Sequence, residues 1–238
     1  MNSADGSPLG VETAMKLAGP QQPPAGHRSE KTSSAGPDGC DRLVDAIICD
    51  VGNVLIEFSA RRSAEIEQLH GLGDGELFTA TLKTSAARLA MSGAISHDEW
   101  HRQTAAIIGD AAVADWLADH GELNRPVVEI LETARAGGIR VLLLSNATTR
   151  LWADLDHHGI RNLADQVFCS AEIGYAKPDP RAYRFVLEAA AIDAGRALYV
   201  DDTASWVEAG RRASGLHGYV YGTPSGLRHE LAALGVTV

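Results

Sequence analysis

Asp50 in "IICDVGNVLI", Ser145 and Asn146 in "LLLSNAT", Lys177 in "GYAKPDPRAY" and Asp201 with Asp202 in "LYVDDTASWVEAG" are a carboxylate, a hydroxyl beside an amide, a lysine and a paired acid. Transfer of a phosphoryl group to an aspartate needs this set of groups. A carboxylate oxygen attacks, a divalent cation held by acids offsets the repulsion between two anions, and Lys and Ser hold the transferring oxygens. Taken singly, each group has a plainer reading as a turn acid, a strand-to-helix turn, a solvated loop lysine or an acidic loop pair. Only their joint order and placement carries the chemistry.

Each group follows a short apolar run: "AIIC" at Ala46–Cys49, "RVLLLS" at Arg140–Ser145, "QVFC" at Gln166–Cys169 and "ALYV" at Ala197–Val200, with a fifth run, "HGYVY", at His217–Tyr221. Short, nearly continuous runs are expected for strands covered on both faces, and amphipathic stretches lie between them. Pro126 suits a helix first turn, with Val127, Leu131 and Ala134 on one face before Gly137-Gly138, and Tyr183, Val186, Leu187 and Ala190 repeat the pattern after Pro180. The alternation predicts an α/β fold, a doubly wound parallel sheet whose strand ends converge on one crevice.

Residues 61–121 read as helix throughout and are too long for a single crossover, so they predict a small helical cap inserted after the first strand. "SHDE" at Ser96–Glu99 is a capping box, followed by Trp100, Thr104 and Ile107 at helical spacing. The core then comprises residues 42–60 and 122–238. Residues 1–41 are dense in Gly, Pro, Ser and Ala, show no apolar period, and predict a disordered tail.

The chain has 238 residues with 21 Lys+Arg against 31 Asp+Glu, a net charge of −10. Such a surface repels nucleic acid phosphates and anionic membranes, so neither is expected as a partner. An acidic protein handling an anion must neutralise it locally. Cys40, Cys49 and Cys169 lack CxxC or metal-ligand spacing, and no run approaches a membrane span, so a cytoplasmic location is expected. Oligomeric state is not legible.

The four motifs, in this order and with a helical insertion after the first, resemble the haloacid dehalogenase-like hydrolase superfamily. The resemblance covers about Asp45 to the C-terminus, and "D-x-G-N-V" resembles its branch related to glucose-1-phosphate phosphatase. It implies a Rossmann-like core and a phosphatase of small phosphorylated metabolites. In that reading Asp50 forms an aspartyl-phosphate, Ser145 and Asn146 bind the phosphoryl oxygens, and Lys177 neutralises nucleophile and phosphoryl group. Mg²⁺ would be held by Asp50, the Gly52 carbonyl and Asp202, with Asp201 close behind.

Two positions depart from the family pattern. Gly52 stands where an aspartate usually protonates the leaving group and activates water, a loss worth on the order of 10² to 10⁴ in rate. A water, or Asn53, would substitute in part. Trp206 stands where "DDxxxN" or "DDxxxD" is usual. These departures leave two alternatives: a metal-independent 2-haloacid dehalogenase, whose halide needs no proton, and a catalytically weakened protein that binds a phosphorylated ligand. Arg61 and Arg62 read as a solvated helix face, His157 and His158 as surface, and Trp100 and Trp116 as core of the insertion.

Overall fold

The computed structural model describes residues 42–238. The expected tail over residues 1–41, with Cys40, lies outside the described residues.

The chain runs through β1 (Ala46–Cys49) and β2 (Ile56–Glu57) into α1 (Ala60–His70), α2 (Glu76–Phe78), a π-helical turn (Thr79–Lys83), α3 (Ser85–Met91), α4 (His97–Ile108) and α5 (Asp110–Ala118). It returns through β3 (Glu122–Leu123), α6 (Arg125–Ala136), β4 (Arg140–Ser145), α7 (Leu151–His157), β5 (Gln166–Cys169), α8 (Ser170–Ile173) and α9 (Pro180–Ala190). Strands β6 (Ala197–Asp201) and β7 (His217–Val220) follow, with α10 (Ala204–Ser214) between them and α11 (Pro224–Ala233) last.

Five strands form one sheet in the order β5-β4-β1-β6-β7, and every pairing is parallel. Because side chains alternate across a strand, the apolar runs feed two cores. Ile47, Cys49, Val141, Leu143, Leu198 and Val200 meet α6, α7 and α11, through residues such as Leu131, Leu155 and Leu231. Ala46, Ile48, Leu142, Leu144 and Tyr199 meet α9 and α10 through Tyr183, Val186 and Val207. Helices on both faces explain why the strands read as unbroken apolar runs. No helix among the described residues is long and apolar enough to cross a membrane.

The helices between β2 and β3 pack around a separate apolar cluster that includes Ile66, Leu77, Trp100 and Val113. This insertion departs from uninterrupted helix. Gly71 and Gly75, at φ +67° and +74°, take the left-handed conformation that suits glycine and break the path between α1 and α2. At the start of α4, Ser96 Oγ accepts the Glu99 N–H, but the Glu99 carboxylate turns to Arg102 and Gln103 instead of returning to Ser96, so the capping box is half formed. The inward stripe is Trp100, Thr104 and Ile108, while Ile107 is 55% exposed. Spacing of four throughout keeps the buried residues on one face. Trp116 packs against the cluster and tilts onto Trp100.

Insertion and core touch at defined points. β2 pairs antiparallel with β3, joining the entering and leaving chains. Asn124, just past β3, donates to Glu57 Oε1 at 2.8 Å and to the Tyr221 hydroxyl at 2.9 Å. His97 Nδ1 lies 3.0 Å from Thr148 Oγ1. Arg61 and Arg62 are exposed and pair with Glu65. His158 meets the His120 carbonyl at 2.8 Å and is half-buried, while His157 stacks on the His120 ring and is exposed, so the pair lies at the surface beside the chain's exit from the insertion.

Candidate active site

Parallel pairing sets the carboxyl ends of β1, β4 and β6 side by side, and the site is built on them. Asp50 follows β1 directly, and its N–H reaches the Val200 carbonyl at 2.9 Å, which extends the ladder by one rung. Ser145 is the last residue of β4 and is buried. Asp201 ends β6 and Asp202 follows it.

Lys177 comes from the loop after α8, and its side chain has no exposure. Its ammonium lies 2.8 Å from Asp50 Oδ1, 2.7 Å from Asp201 Oδ2 and 3.0 Å from the Leu144 carbonyl. Three N–H donors meet three acceptors, which satisfies a buried cation as burial demands. The loop is clasped by Asn146, whose Nδ2 donates to the Lys177 carbonyl and whose Oδ1 accepts the Lys177 N–H, both at 2.7 Å. Both ends of the Asn146 side chain therefore help to hold the lysine loop.

Asp201 has its oxygens engaged as well. Oδ2 accepts Lys177 and the Tyr199 hydroxyl, and Oδ1 accepts the Thr203 N–H at 2.8 Å. A fully buried carboxylate with three donors is a structural anion, which sets it apart from the more exposed Asp202. Asp202 Oδ1 accepts the Thr203 hydroxyl, and Oδ2 accepts Asn53 Nδ2 at 3.2 Å. Asn53 sits at φ +56°, a conformation that Asn tolerates better than most residues. The tight turn after β1 uses this conformation to swing the Asn53 amide towards Asp202.

One carboxylate oxygen each from Asp50, Asp201 and Asp202 lies within 4.8 Å of the others. Three carboxylates and one ammonium leave an excess of negative charge at a largely buried place. Oxygen donors in such a set suit a hard divalent cation. Of the three, Asp50 and Asp202 accept from fewer donors than Asp201. Burial pushes the Asp50 carboxyl up to about 7, against the pull of the Lys177 ammonium, with the Asp201 charge adding to the rise and the Val51 N–H opposing it.

Gly52 is partly exposed, and a Cβ added to it would meet nothing within 4 Å. The missing side chain is therefore open space, not filled by a neighbour. Sequence reasoning did not assign Tyr199, which lies two residues before Asp201 and so on the same side of β6, a spacing that strand periodicity could have flagged. Nor did it find the link between Asn53 and Asp202, which has no local signal.

A family model described as a haloacid dehalogenase-like hydrolase matches residues 44–214, well over half of the chain. Phosphatase MT3486 of Mycobacterium tuberculosis is 38% identical over 111 residues, 44% of this chain and 51% of that protein. The matched stretch thus spans about half the length of this relative. D-ribitol-5-phosphate phosphatase of Bacteroides thetaiotaomicron is 21% identical over 181 residues, 71% of this chain and 88% of that one. In solved structures, the fold resembles a HAD family enzyme of Bacteroides thetaiotaomicron in complex with magnesium and inorganic phosphate, with TM-score 0.65 and 21% identity over 75% of this chain and 94% of that one. At that identity the likeness is one of fold.

Proposed function

Because the chain belongs to the haloacid dehalogenase-like hydrolases, we propose that it is a Mg²⁺-dependent phosphatase of small phosphorylated metabolites acting through an aspartyl-phosphate. The observation that carries this reading is the carboxylate cluster of Asp50, Asp201 and Asp202 around a single lysine. A phosphate dianion approaching that cluster meets net repulsion. Asp50, the Gly52 carbonyl and Asp202 would hold a divalent cation, which when bound would supply the missing positive charge as a Lewis acid.

The remaining roles belong to the chain's own residues. Lys177 holds Asp50 Oδ1, which leaves Oδ2 as the attacking oxygen. Attack forms the Asp50–phosphorus bond and breaks the bond between phosphorus and the leaving oxygen. Water then adds to phosphorus, releasing inorganic phosphate and restoring the Asp50 carboxylate. Ser145 donates to the phosphoryl oxygens, and Asn146 fixes the lysine loop. The helical insertion over the strand ends serves as a cap that limits water during the first step.

Gly52 provides no proton for the leaving group, so substrates whose leaving oxygen departs readily are favoured: acyl phosphates, anomeric sugar phosphates and aryl phosphates. The same absence is the feature that favours a dehalogenase as the second reading, and the two differ in metal demand. Phosphate release from p-nitrophenyl phosphate and glucose 1-phosphate, with Mg²⁺ and with EDTA, is measured beside halide release from 2-chloropropionate. Mg²⁺-dependent phosphate release is expected. Halide release that survives EDTA would replace this reading.

A further inference from the structure

The Lys177 ammonium is bounded by aromatic rings as well as by carboxylates. It lies 4.9 Å from the centroid of Trp206 and 5.9 Å from that of Tyr199, both within reach of a cation–π interaction. Trp206, in the first turn of α10, is one helical turn beyond Asp202, and it is one of the two positions where the chain departs from the motif it otherwise follows.

We propose that Trp206 is a positioning residue: its indole face, with the Tyr199 ring behind, holds the Lys177 ammonium against Asp50 and takes the place of a polar side chain. This rests on the phosphatase reading above. The physical difference between the two solutions is the number of donors consumed. All three ammonium protons are committed, to Asp50, Asp201 and the Leu144 carbonyl. An acid or amide at position 206 would compete for one of them. A π face attracts the cation through its quadrupole and takes no proton, so the hydrogen bond to Asp50 is kept.

The backbone that carries the indole is held in place. The Tyr183 hydroxyl donates to the Trp206 main-chain carbonyl at 2.8 Å, and the Trp206 main-chain N–H donates to the Thr203 carbonyl at 2.9 Å. The Tyr183 ring packs edge-on against Tyr199, with centroids 5.3 Å apart. Gly210, one turn beyond Trp206, admits both rings: a Cβ there would lie 3.1 Å from the Tyr183 ring and 3.2 Å from the Tyr199 ring. The glycine lets α10 approach β6 closely enough to set the indole beside the lysine.

The test compares wild type with Trp206→Leu, which keeps apolar volume without a π face, and Trp206→Phe, which keeps a face. Thermal midpoints establish that each variant folds. The first readout is the upfield ring-current displacement of the Lys177 Hε resonances in isotope-labelled protein, which needs no turnover. It is expected in wild type and in Trp206→Phe and lost in Trp206→Leu. The second is p-nitrophenyl phosphate kinetics, where Trp206→Leu lowers kcat about tenfold with KM little changed, and Trp206→Phe stays within about threefold of wild type. Absence of the displacement in wild type overturns the proposal, as does a Trp206→Leu variant with wild-type kcat. Wild-type protein that releases no phosphate from any substrate overturns the phosphatase reading instead, and the ring-current comparison still decides whether Trp206 holds the lysine.

Discussion

Asn53 donates its side-chain amide to Asp202 across 3.2 Å, although the two are 149 residues apart in the chain. One lies in the turn after β1 and the other just past β6, so the bond ties the turn that carries Gly52 to Asp202, both proposed to hold Mg²⁺. Loss of a group that orients a metal ligand typically costs about 10- to 100-fold in metal affinity. Asn53→Gly removes the amide and still accommodates the positive φ at this residue. Calorimetric titration with Mg²⁺ should show a dissociation constant raised about tenfold or more. An unchanged constant would mean that Asp202 needs no such support.

Gly52 faces open space, and its backbone is not in the left-handed region. A Cβ fits there without displacing a neighbour. Gly52→Asp should raise hydrolysis of unactivated alkyl phosphates by about 10²-fold while changing p-nitrophenyl phosphate turnover little, because only the poor leaving group needs a proton. Equal gains on both substrates, or none on either, would place the limiting step elsewhere.

Asp50→Asn should abolish turnover, by on the order of 10⁴-fold or more. It should also change how stability depends on pH. Burial raises the Asp50 carboxyl from 3.8 to about 7. In that interval the folded chain keeps a proton that the unfolded chain has released, so stability falls as pH rises through the window. The uncharged amide lacks this dependence. In EDTA, thermal midpoints of the variant should therefore fall less than those of wild type between pH 4 and pH 7. A variant with the wild-type slope would show that Asp50 is not the group responsible.

Gly93 joins the insertion to the core. Its φ is +71°, and an added Cβ would stand 2.1 Å from the Ala171 carbonyl oxygen. Backbone on both sides leaves little to yield, so Gly93→Ala should cost about 1 to 3 kcal/mol and pry α3 from α8. Hydrogen exchange should quicken around residues 93–97 and 170–173. Exchange indistinguishable from wild type would show that this contact does not hold the insertion in place.

The strands were legible because burial on both faces leaves a continuous apolar run in the chain. All five runs appear as strands, differing from the expected ends by a single residue at β6 and β7. That Asp50, Ser145, Asp201 and Asp202 stand at one edge of the sheet was legible for a related reason, since strand ends in a parallel sheet must converge, whereas Lys177 reaches Asp50 and Asp201 from the loop after α8. The insertion was read less well. Helical periodicity located α4, but glycines at positive φ broke the path between α1 and α2, and the choice between Ile107 and Ile108 depended on which face met the apolar cluster.

The sequence by itself determined the residue types, their order, and the strand ends at which they stand, because local hydrophobic patterning and chain direction suffice for those. Tertiary structure alone decided how the groups are shared. It committed Asn146 to the lysine loop, saturated Asp201 with Lys177, Tyr199 and Thr203, turned Asn53 towards Asp202, and set Trp206 over the Lys177 ammonium. Apart from Tyr199 and Thr203, which are near neighbours of Asp201 in the chain, these contacts join residues on different strands, helices or turns. A hydrogen bond or a cation–π contact depends on ångström-scale distance and direction across the packed sheet, and no local pattern along the chain encodes either.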